Sequence, residues 1–361
     1  MLLTKLKCVA AISLTLSATG VAAIVLACFA LGAEGDVATQ GAVAAVLAET
    51  WQERGTLDIT HSAVTSMAFS PDGKTLATTP GKSQDPTGKL WDLATGRVRA
   101  SFEGGRSAQG YGEVLDRLAF SPDGSSLATG SGSGVVKVWD TESLHVRVSM
   151  TSHTGSVFSV AFAPNAKQLT SASRDGTVRL WDASNGQELA VLRGRGCYFL
   201  SVAFAPDGKI LAAGTSDGSV KVWDVSTLKE LATLKGHTGQ LWAVAFAPDG
   251  KVLATGSRDG LVKLWDAGTL RELATLRGHK SLVTALAFAP DGKTMVTGSE
   301  DGTAKFWDVT TLQETASLPA GRVWSVAFSP DGKTLATGGV YLKLWQQTES
   351  PACNDRGSTP R

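Results

Sequence analysis

The strongest constraint on the fold of this chain is a unit of about 42 residues that the sequence repeats. The line GSRDGLVKLWD at 256–266 has close relatives at 171–182, 214–224 and 298–308, and each of these lines ends in Trp-Asp. Seven copies close on a tryptophan, at spacings of 48, 42, 42, 42, 42 and 38 residues: Trp91, Trp139, Trp181, Trp223, Trp265, Trp307 and Trp345. A fixed period of this length indicates that each copy is one supersecondary unit, stable only when it stacks on its neighbours.

Each copy reads as four short strands and shows no helical pattern. In the fifth copy, LWAVAFAPDGK (241–251) alternates apolar residues and then turns at Pro-Asp-Gly. The second strand, KVLATGS (251–257), leads to the third, LVKLWD (261–266), through an Asp-Gly turn that favours a tight hairpin. ELATL (272–276) is the fourth strand. Four strands in each repeat predict the blades of a β-propeller.

Seven copies with Gly-His and Trp-Asp signatures resemble the WD-repeat family, and the uniformity of the copies looks bacterial in type. The resemblance covers residues 56–346 and implies a seven-bladed β-propeller of four-stranded antiparallel blades. We therefore expect an all-β, monomeric propeller preceded by one N-terminal hydrophobic helix. A ring of blades must join its last blade to its first. Because the seventh copy ends after its third strand, we expect the orphan strand TLDIT (56–60) to complete that blade.

The resemblance also implies a buried hydrogen-bond network within single blades. The indole N–H of a Trp donates to a hydroxyl, the hydroxyl donates to a His, and the His donates to an Asp. Three copies carry all four residue types: His153, Ser171, Asp175 and Trp181; His237, Thr255, Asp259 and Trp265; His279, Thr297, Asp301 and Trp307. The fourth copy has Arg195 and Ala213 in place of the His and the hydroxyl. We interpret the complete networks as structural, because a fully satisfied network stiffens its blade.

A hydroxyl, a His and an Asp also suggest the triad of a hydrolase. Here the constellation recurs three times at blade spacing, and none of these three copies contains a GxSxG motif. The histidines form no metal-binding pair, and the Pro-Asp-Gly turns lack the ligand spacing of calcium loops. The sequence therefore predicts a protein that is not an enzyme, with no metal and no cofactor. A net charge of +1 argues against nucleic acid as a partner.

The first 33 residues differ from the repeats. Residues 8–33 contain no charged side chain, and two lysines precede them. A membrane-spanning helix needs about 20 apolar residues, whereas the apolar core of a signal peptide has about 7–15. We favour an uncleaved anchor over 1–33 that leaves the propeller on the extracytoplasmic side of the membrane. A cleaved signal peptide is the first alternative, and lipidation of Cys28 is the second.

Two further segments flank the repeats. Residues 34–55 read as a linker, in which 41–54 has the pattern of a short amphipathic helix. Residues 347–361 are polar, and we predict that this tail is disordered.

If the networks are structural, function must depend on positions that differ between copies. Members of the family typically bind partners on the face that carries the turns between second and third strands. Aromatic residues and arginines contribute most of the binding energy at protein interfaces. Seven such residues project toward this face: Trp242, Trp324, Phe158, Tyr198, Arg174, Arg258 and Arg322. Packing between blades is the alternative explanation for the aromatic residues, and simple solvation is the alternative for the arginines.

Taken together, these features predict a non-catalytic scaffold or sensor module that binds protein partners and is tethered to the membrane through residues 8–33. A secreted or periplasmic binding protein, released by signal cleavage, is one alternative. A ligand-binding or enzymatic propeller that uses the central channel is another, although the axial strands are rich in Ala, Val and Phe.

Overall fold

The structure is a computed structural model that describes residues 51–59, 63–81, 87–103, 115–194 and 196–348. The chain divides into two compact units. One unit, Glu53–Gln346, contains the repeats. The other consists of Met1–Gln52 and Gln347–Arg361, of which only four residues are described.

All regular secondary structure among the described residues is β, arranged as seven four-stranded antiparallel sheets that form the blades of a propeller. Blade 1 comprises β2 (Val64–Phe69), β3 (Thr75–Pro80), β4 (Thr87–Asp92) and β5 (Arg97–Glu103). Blade 2 comprises β6 (Leu115–Phe120), β7 (Ser126–Ser131), β8 (Val136–Asp140) and β9 (Val146–Met150). Blade 3 comprises β10 (Val157–Phe162), β11 (Gln168–Ser173), β12 (Thr177–Asp182) and β13 (Glu188–Arg193). Blade 4 comprises β14 (Phe199–Phe204), β15 (Ile210–Thr215), β16 (Val220–Asp224) and β17 (Glu230–Leu234).

Blade 5 comprises β18 (Leu241–Phe246), β19 (Val252–Ser257), β20 (Val262–Asp266) and β21 (Glu272–Leu276). Blade 6 comprises β22 (Val283–Phe288), β23 (Thr294–Ser299), β24 (Thr303–Asp308) and β25 (Glu314–Pro319). Blade 7 comprises β26 (Val323–Phe328), β27 (Thr334–Gly339), β28 (Leu342–Gln347) and β1 (Trp51–Leu57). The expected seven-bladed, all-β architecture is confirmed.

The N-terminal strand β1 supplies the outermost strand of blade 7, as the sheet order β1-β28-β27-β26 shows. Its predicted bounds, 56–60, are wrong, because the strand is Trp51–Leu57. The sequence ERGTL (53–57) corresponds to ELATL (272–276) of blade 5. Glu53 Oε2 lies 2.9 Å from Lys343 Nζ, an ion pair that recurs in other blades. This pairing with β28 also explains why residues 51–54 form strand rather than the predicted helix.

The predicted N-terminal helix over 1–33 and most of the linker lie outside the described residues. The described part of the chain contains no helix long and apolar enough to cross a membrane. Of the predicted disordered tail, only Gln347, the last residue of β28, and Thr348 are described.

The hydrophobic core lies between neighbouring blades. One cluster joins Val136 and Val138 of blade 2 to Val157, Leu169 and Trp181 of blade 3. The equivalent cluster at the closure of the ring joins Leu57, Leu342 and Leu344 of blade 7 to Val64 and Trp91 of blade 1. Each of these side chains contributes roughly 1.5–3 kcal/mol when it is buried. A blade therefore depends on its neighbours for its core.

The turns between first and second strands require a residue in the left-handed region. Six blades place a glycine there, with φ between 68° and 73°. Blade 3 places Ala166 there, at φ 58°. The Cβ of a non-glycine residue is sterically strained in this region, so the turn of blade 3 contains a small local strain at Ala166.

Candidate partner-binding face

The structure joins the four predicted network residues of blade 5 by hydrogen bonds. Trp265 Nε1 donates to Thr255 Oγ1 at 3.0 Å. Thr255 Oγ1 lies 2.9 Å from His237 Nε2, and His237 Nδ1 lies 2.9 Å from Asp259 Oδ2. Two further blades repeat the arrangement at 2.7–2.8 Å: His153, Ser171, Asp175 and Trp181 in blade 3, and His279, Thr297, Asp301 and Trp307 in blade 6.

The bond from tryptophan to hydroxyl also occurs outside the complete networks. Three such pairs were not predicted from the sequence: Trp91 with Thr78, Trp139 with Thr129, and Trp345 with Thr337. Blade 4 is the exception among the seven. Ala213 offers no hydroxyl there, and the indole N–H of Trp223 has no hydrogen-bond partner among the described residues. Arg195, the other departure in blade 4, lies outside the described residues.

Burial lowers the pKa of His153, His237 and His279 below 6.5, although the aspartate beside each one acts in the opposite direction. Each ring is therefore neutral near pH 7, and its Nδ1–H donates to the aspartate while Nε2 accepts from the hydroxyl. Burial acts to raise the pKa of the aspartates, but their hydrogen bonds prevail. The pKa of Asp175 and Asp259 lies below 3.8, and that of Asp301 is about 2. Each network thus contains one ionised carboxylate.

This geometry differs from that of a hydrolytic triad. Ser171 and Thr255 are fully buried, and the oxygen of each hydroxyl already accepts a bond from a tryptophan. A nucleophile needs an exposed oxygen beside its general base. These hydroxyls connect side chains inside a blade and do not face a substrate-sized opening.

Each innermost strand contains a β-bulge near the face that carries the turns between second and third strands. In blade 3, pairing passes from Val157 with Ser173 to Ser159 with Ala172 and leaves Phe158 as the extra residue. A bulge redirects the side chain of its extra residue. The shift occurs in all seven blades, and the extra residues are Thr65, Asp116, Phe158, Leu200, Trp242, Thr284 and Trp324. Three of the seven predicted binding residues are therefore bulge residues.

Backbone hydrogen bonds place the turns of this face beside the segments that lead into the innermost strands. Arg174 N donates to Ser156 O at 2.9 Å, and Val340 N donates to Arg322 O at 3.3 Å. Blades 4, 5 and 6 make the equivalent bond at 2.9, 2.9 and 3.1 Å. The turn and the lead-in segment of each of these blades thus form one continuous surface.

Phe158, Tyr198 and Trp242 form one half-buried aromatic cluster over blades 3, 4 and 5. The ring centroid of Phe158 lies 6.2 Å from that of Tyr198 and 6.3 Å from that of Trp242. Gln240 Nε2 donates to the Tyr198 hydroxyl at 2.8 Å. Trp242 Nε1 is buried and has no partner among the described residues. Because Phe158 belongs to blade 3 and Trp242 to blade 5, their contact spans blade 4.

The remaining predicted residues are separate from this cluster. Arg174, Arg258 and Arg322 are exposed on three different blades. Within the described part of the chain, no side chain forms an ion pair or hydrogen bond with their guanidinium groups. Trp324 reaches toward blade 6, where its Nε1 lies 3.4 Å from Glu300 Oε1. The seven predicted residues therefore form a packed cluster and a set of dispersed, open positions.

Arg117 is a charged residue of the channel wall that the sequence argument missed. It follows the bulge residue of blade 2, where the other blades have small residues: Ser66, Ser159, Ser201, Ala243, Ala285 and Ser325. Its Nε donates to Phe158 O and its Nη1 to Thr65 O, both at 2.8 Å. The guanidinium group thus connects blade 2 to blades 1 and 3. An arginine in a column of serines and alanines was the signal in the sequence.

On the opposite face, the ends of the innermost strands of blades 3, 4 and 5 line a wide-open apolar cavity of about 510 Å³. Its wall includes Phe162, Phe204, Phe246, Pro122, Pro164 and Pro206. Among the residues that the structure describes, no His, Cys, Asp or Glu lines this cavity. Elsewhere in the described residues, no group of three or more such side chains is placed to hold a metal ion. This cavity offers apolar contacts to a ligand.

Family models match the repeats in both halves of the chain. The model for the WD domain, G-beta repeat matches residues 51–92, 109–140 and 144–182. The model for the IFT122 first beta-propeller matches residues 198–354. The chain therefore contains WD40 repeats, and its second half is similar to a known β-propeller.

Two curated proteins of Dictyostelium discoideum are similar to parts of the chain. Periodic tryptophan protein 2 homolog is 40% identical over 52 residues, which are 14% of this chain and 6% of that protein. Protein tipD is 28% identical over 99 residues, which are 27% of this chain and 15% of that protein. The matches thus span only a small part of each relative. Both come from a eukaryote, so the comparisons give no support to the bacterial type expected from the sequence.

Proposed function

We propose that this chain is a non-catalytic scaffold that binds protein partners on the face carrying the turns between second and third strands. WD40 propellers generally act as platforms for protein–protein interaction. The supporting observation is the set of exposed arginines, Arg174, Arg258 and Arg322, whose guanidinium groups have no partner among the described residues. Arginine is enriched among the residues that dominate binding energy.

Affinity capture with charge-reversal variants tests this proposal. The test variant combines Arg174→Glu and Arg258→Glu. The control combines Lys209→Glu and Lys251→Glu, which make the same change in net charge at exposed turns of the opposite face. We expect specific partners to be lost from the test variant and retained by the control, at equal melting temperatures. Equal retention by both variants would refute the proposed face.

We also propose that the propeller is monomeric and is held at the membrane by residues 8–33, on the extracytoplasmic side. The 26 uncharged residues of this segment and the lysines before it support the proposal. Alkaline extraction of membranes and protease treatment of intact cells test it. We expect the chain to stay in the membrane pellet and to be cut from outside. A soluble chain whose mature N-terminus lies after residue 28 would support the secreted alternative instead.

A second candidate function is the binding of an apolar ligand in the central channel. The cavity of about 510 Å³ with its phenylalanine and proline wall supports this candidate. A thermal-shift screen with fatty acids and aromatic compounds tests it, with Ala203→Trp as a variant that fills the cavity. A stabilisation that the variant abolishes would favour ligand binding.

A further inference from the structure

Blade 7 differs from the other blades in its turn between second and third strands. The turn consists of Val340 and Tyr341, between β27 and β28, and contains no Asp. Val340 is 47% exposed and Tyr341 is 52% exposed. The Tyr341 ring lies over Gly321, because a Cβ added to Gly321 would be 2.9 Å from that ring. Blade 7 thus displays two apolar side chains where blades 3 and 5 display an arginine and bury an aspartate.

Arg322 differs from Arg174 and Arg258 because it lies in the segment that leads into the innermost strand and not in the turn between second and third strands. Arg174 and Arg258 each directly precede a buried, ionised aspartate, Asp175 or Asp259. The shorter turn of blade 7 has no such residue. The Arg322 side chain is exposed, and its guanidinium group has no partner among the described residues. The backbone carbonyl of Arg322 accepts a hydrogen bond from Val340 N at 3.3 Å. The backbone of a cationic residue therefore lies directly beside the exposed Val340–Tyr341 turn.

We propose that Arg322, Val340 and Tyr341, the blade-7 patch, anchor a linear protein segment in which an apolar side chain stands next to a carboxylate. This inference rests on the proposed function and specifies the partner's chemistry. Tyr341 and Val340 offer the apolar area, and Arg322 offers a planar donor that pairs with a carboxylate through two hydrogen bonds. Tyrosine and arginine are among the residues that most often anchor interfaces.

The aromatic cluster of blades 3 to 5 is a poorer anchor than the blade-7 patch. Its rings already pack on one another, and the Trp242 indole N–H is buried. A partner would have to separate these rings before it could use their area. In the blade-7 patch, Val340 and Tyr341 remain about half exposed, although the Tyr341 ring packs over Gly321 and lies 5.9 Å from Lys343 Nζ.

Selection from a phage-displayed library of random linear peptides, with the full chain as bait, tests the inference. Enriched peptides are then synthesised with a fluorescent label, and their affinities are measured by anisotropy. Tyr341→Ser and Arg322→Glu are the test variants. Arg174→Glu reports whether the anchor lies elsewhere on the same face, and Lys209→Glu and Lys293→Glu are the charge-reversal controls on the opposite face.

We expect enriched peptides to pair Leu, Ile or Phe with Asp or Glu. Both test variants should weaken binding about tenfold or more, and both controls should change it less than about twofold. Melting temperatures show whether each variant is folded. Because Tyr341 and Arg322 are exposed, at least one test variant should retain the fold.

Other outcomes would overturn the inference and separate it from the proposed function. Peptides that depend on Arg174 but not on Tyr341 would place the anchor elsewhere on the same face and leave the proposed function intact. Enriched peptides without acidic residues would refute the partner chemistry. Peptides sensitive only to Lys293→Glu would refute both the inference and the proposed face. Failure to enrich any peptide would refute the inference, while the capture experiment would still judge the proposed function.

Discussion

The substitution Thr255→Val tests what the buried networks contribute to stability. Valine has nearly the shape of threonine but lacks the hydroxyl. Thr255 is fully buried, and its Oγ1 lies 3.0 Å from Trp265 Nε1 and 2.9 Å from His237 Nε2. Removing the hydroxyl therefore leaves one donor and one acceptor without a partner in the protein interior.

The expected magnitude follows from those two orphaned groups. Each buried polar group that loses its partner costs about 1–3 kcal/mol, so the free energy of unfolding should fall by about 2–6 kcal/mol. Thr170→Val is the matched control. Thr170 is equally buried, but its Oγ1 only donates to Arg179 O, at 3.1 Å. Because no side-chain donor is orphaned there, we expect a loss of at most about 1 kcal/mol.

Urea unfolding, followed by tryptophan fluorescence and circular dichroism, measures the difference. A change in stability shifts the midpoint, whereas an unchanged slope shows that the same surface is exposed on unfolding. We expect Thr255→Val to unfold at a clearly lower urea concentration than Thr170→Val. Equal midpoints would refute the reasoning and would mean that the network hydroxyls add no stability beyond burial.

Four further predictions concern other parts of the fold. The free energy of unfolding, read from urea midpoints, should be greatest above pH 6.5 and should fall as the pH is lowered. Burial lowers the pKa of the three network histidines in the folded state, so the unfolded chain binds protons at a higher pH than the folded chain does. A flat profile would contradict this prediction. Gly339→Ala should lower the melting temperature strongly, because the new Cβ would lie 1.8 Å from Arg322 O. Gly55→Ala is the control and should be tolerated, because no atom lies within 4 Å of its new Cβ. Ala166→Gly should stabilise the chain by about 0.5–1 kcal/mol, because it removes the left-handed strain; a lower urea midpoint would argue against strain. Arg117→Met should cost about 1–3 kcal/mol through its two lost bonds to carbonyl oxygens, and an unchanged midpoint would show that these bonds do not hold the channel wall.

The closing strand shows both the power and the limit of the repeat as a predictor. Topology required an N-terminal strand in blade 7, and the structure has one. The predicted bounds of this strand, 56–60, were wrong because the segment TLDIT was aligned with the fourth strands of other copies without reference to the ion pair that those strands make. Glu53 pairs with Lys343, and Thr56 Oγ1 donates to Glu53 Oε1 at 3.0 Å. The same pattern joins Lys263, Glu272 and Thr275 in blade 5.

Contacts between side chains of different blades could not be predicted in the same way. The sequence identified the column that contains Phe158 and Trp242, but it gave no sign that these rings meet across blade 4. Contact depends on the diameter of the channel and on the bulge, neither of which appears as a residue pattern. The role of Arg117 has the same origin, because its acceptors are backbone carbonyls of two other blades.

The position of the blade-7 patch follows from how the ring closes. Blades 3, 5 and 6 are held by complete networks, so their turns must retain an aspartate. Of the network bonds, the described residues of blade 7 keep only the one from Trp345 to Thr337, at 2.9 Å. Its stability comes instead from β1, through the ion pair of Glu53 with Lys343 and the burial of Leu57 against blade 1. Because closure replaces the network, the turn of blade 7 is free of the aspartate requirement and can present Val340 and Tyr341 to a partner. Leu57→Ala should therefore weaken closure by about 2–5 kcal/mol and speed hydrogen exchange in blade 7 more than in blade 4, whereas uniform exchange would contradict this account.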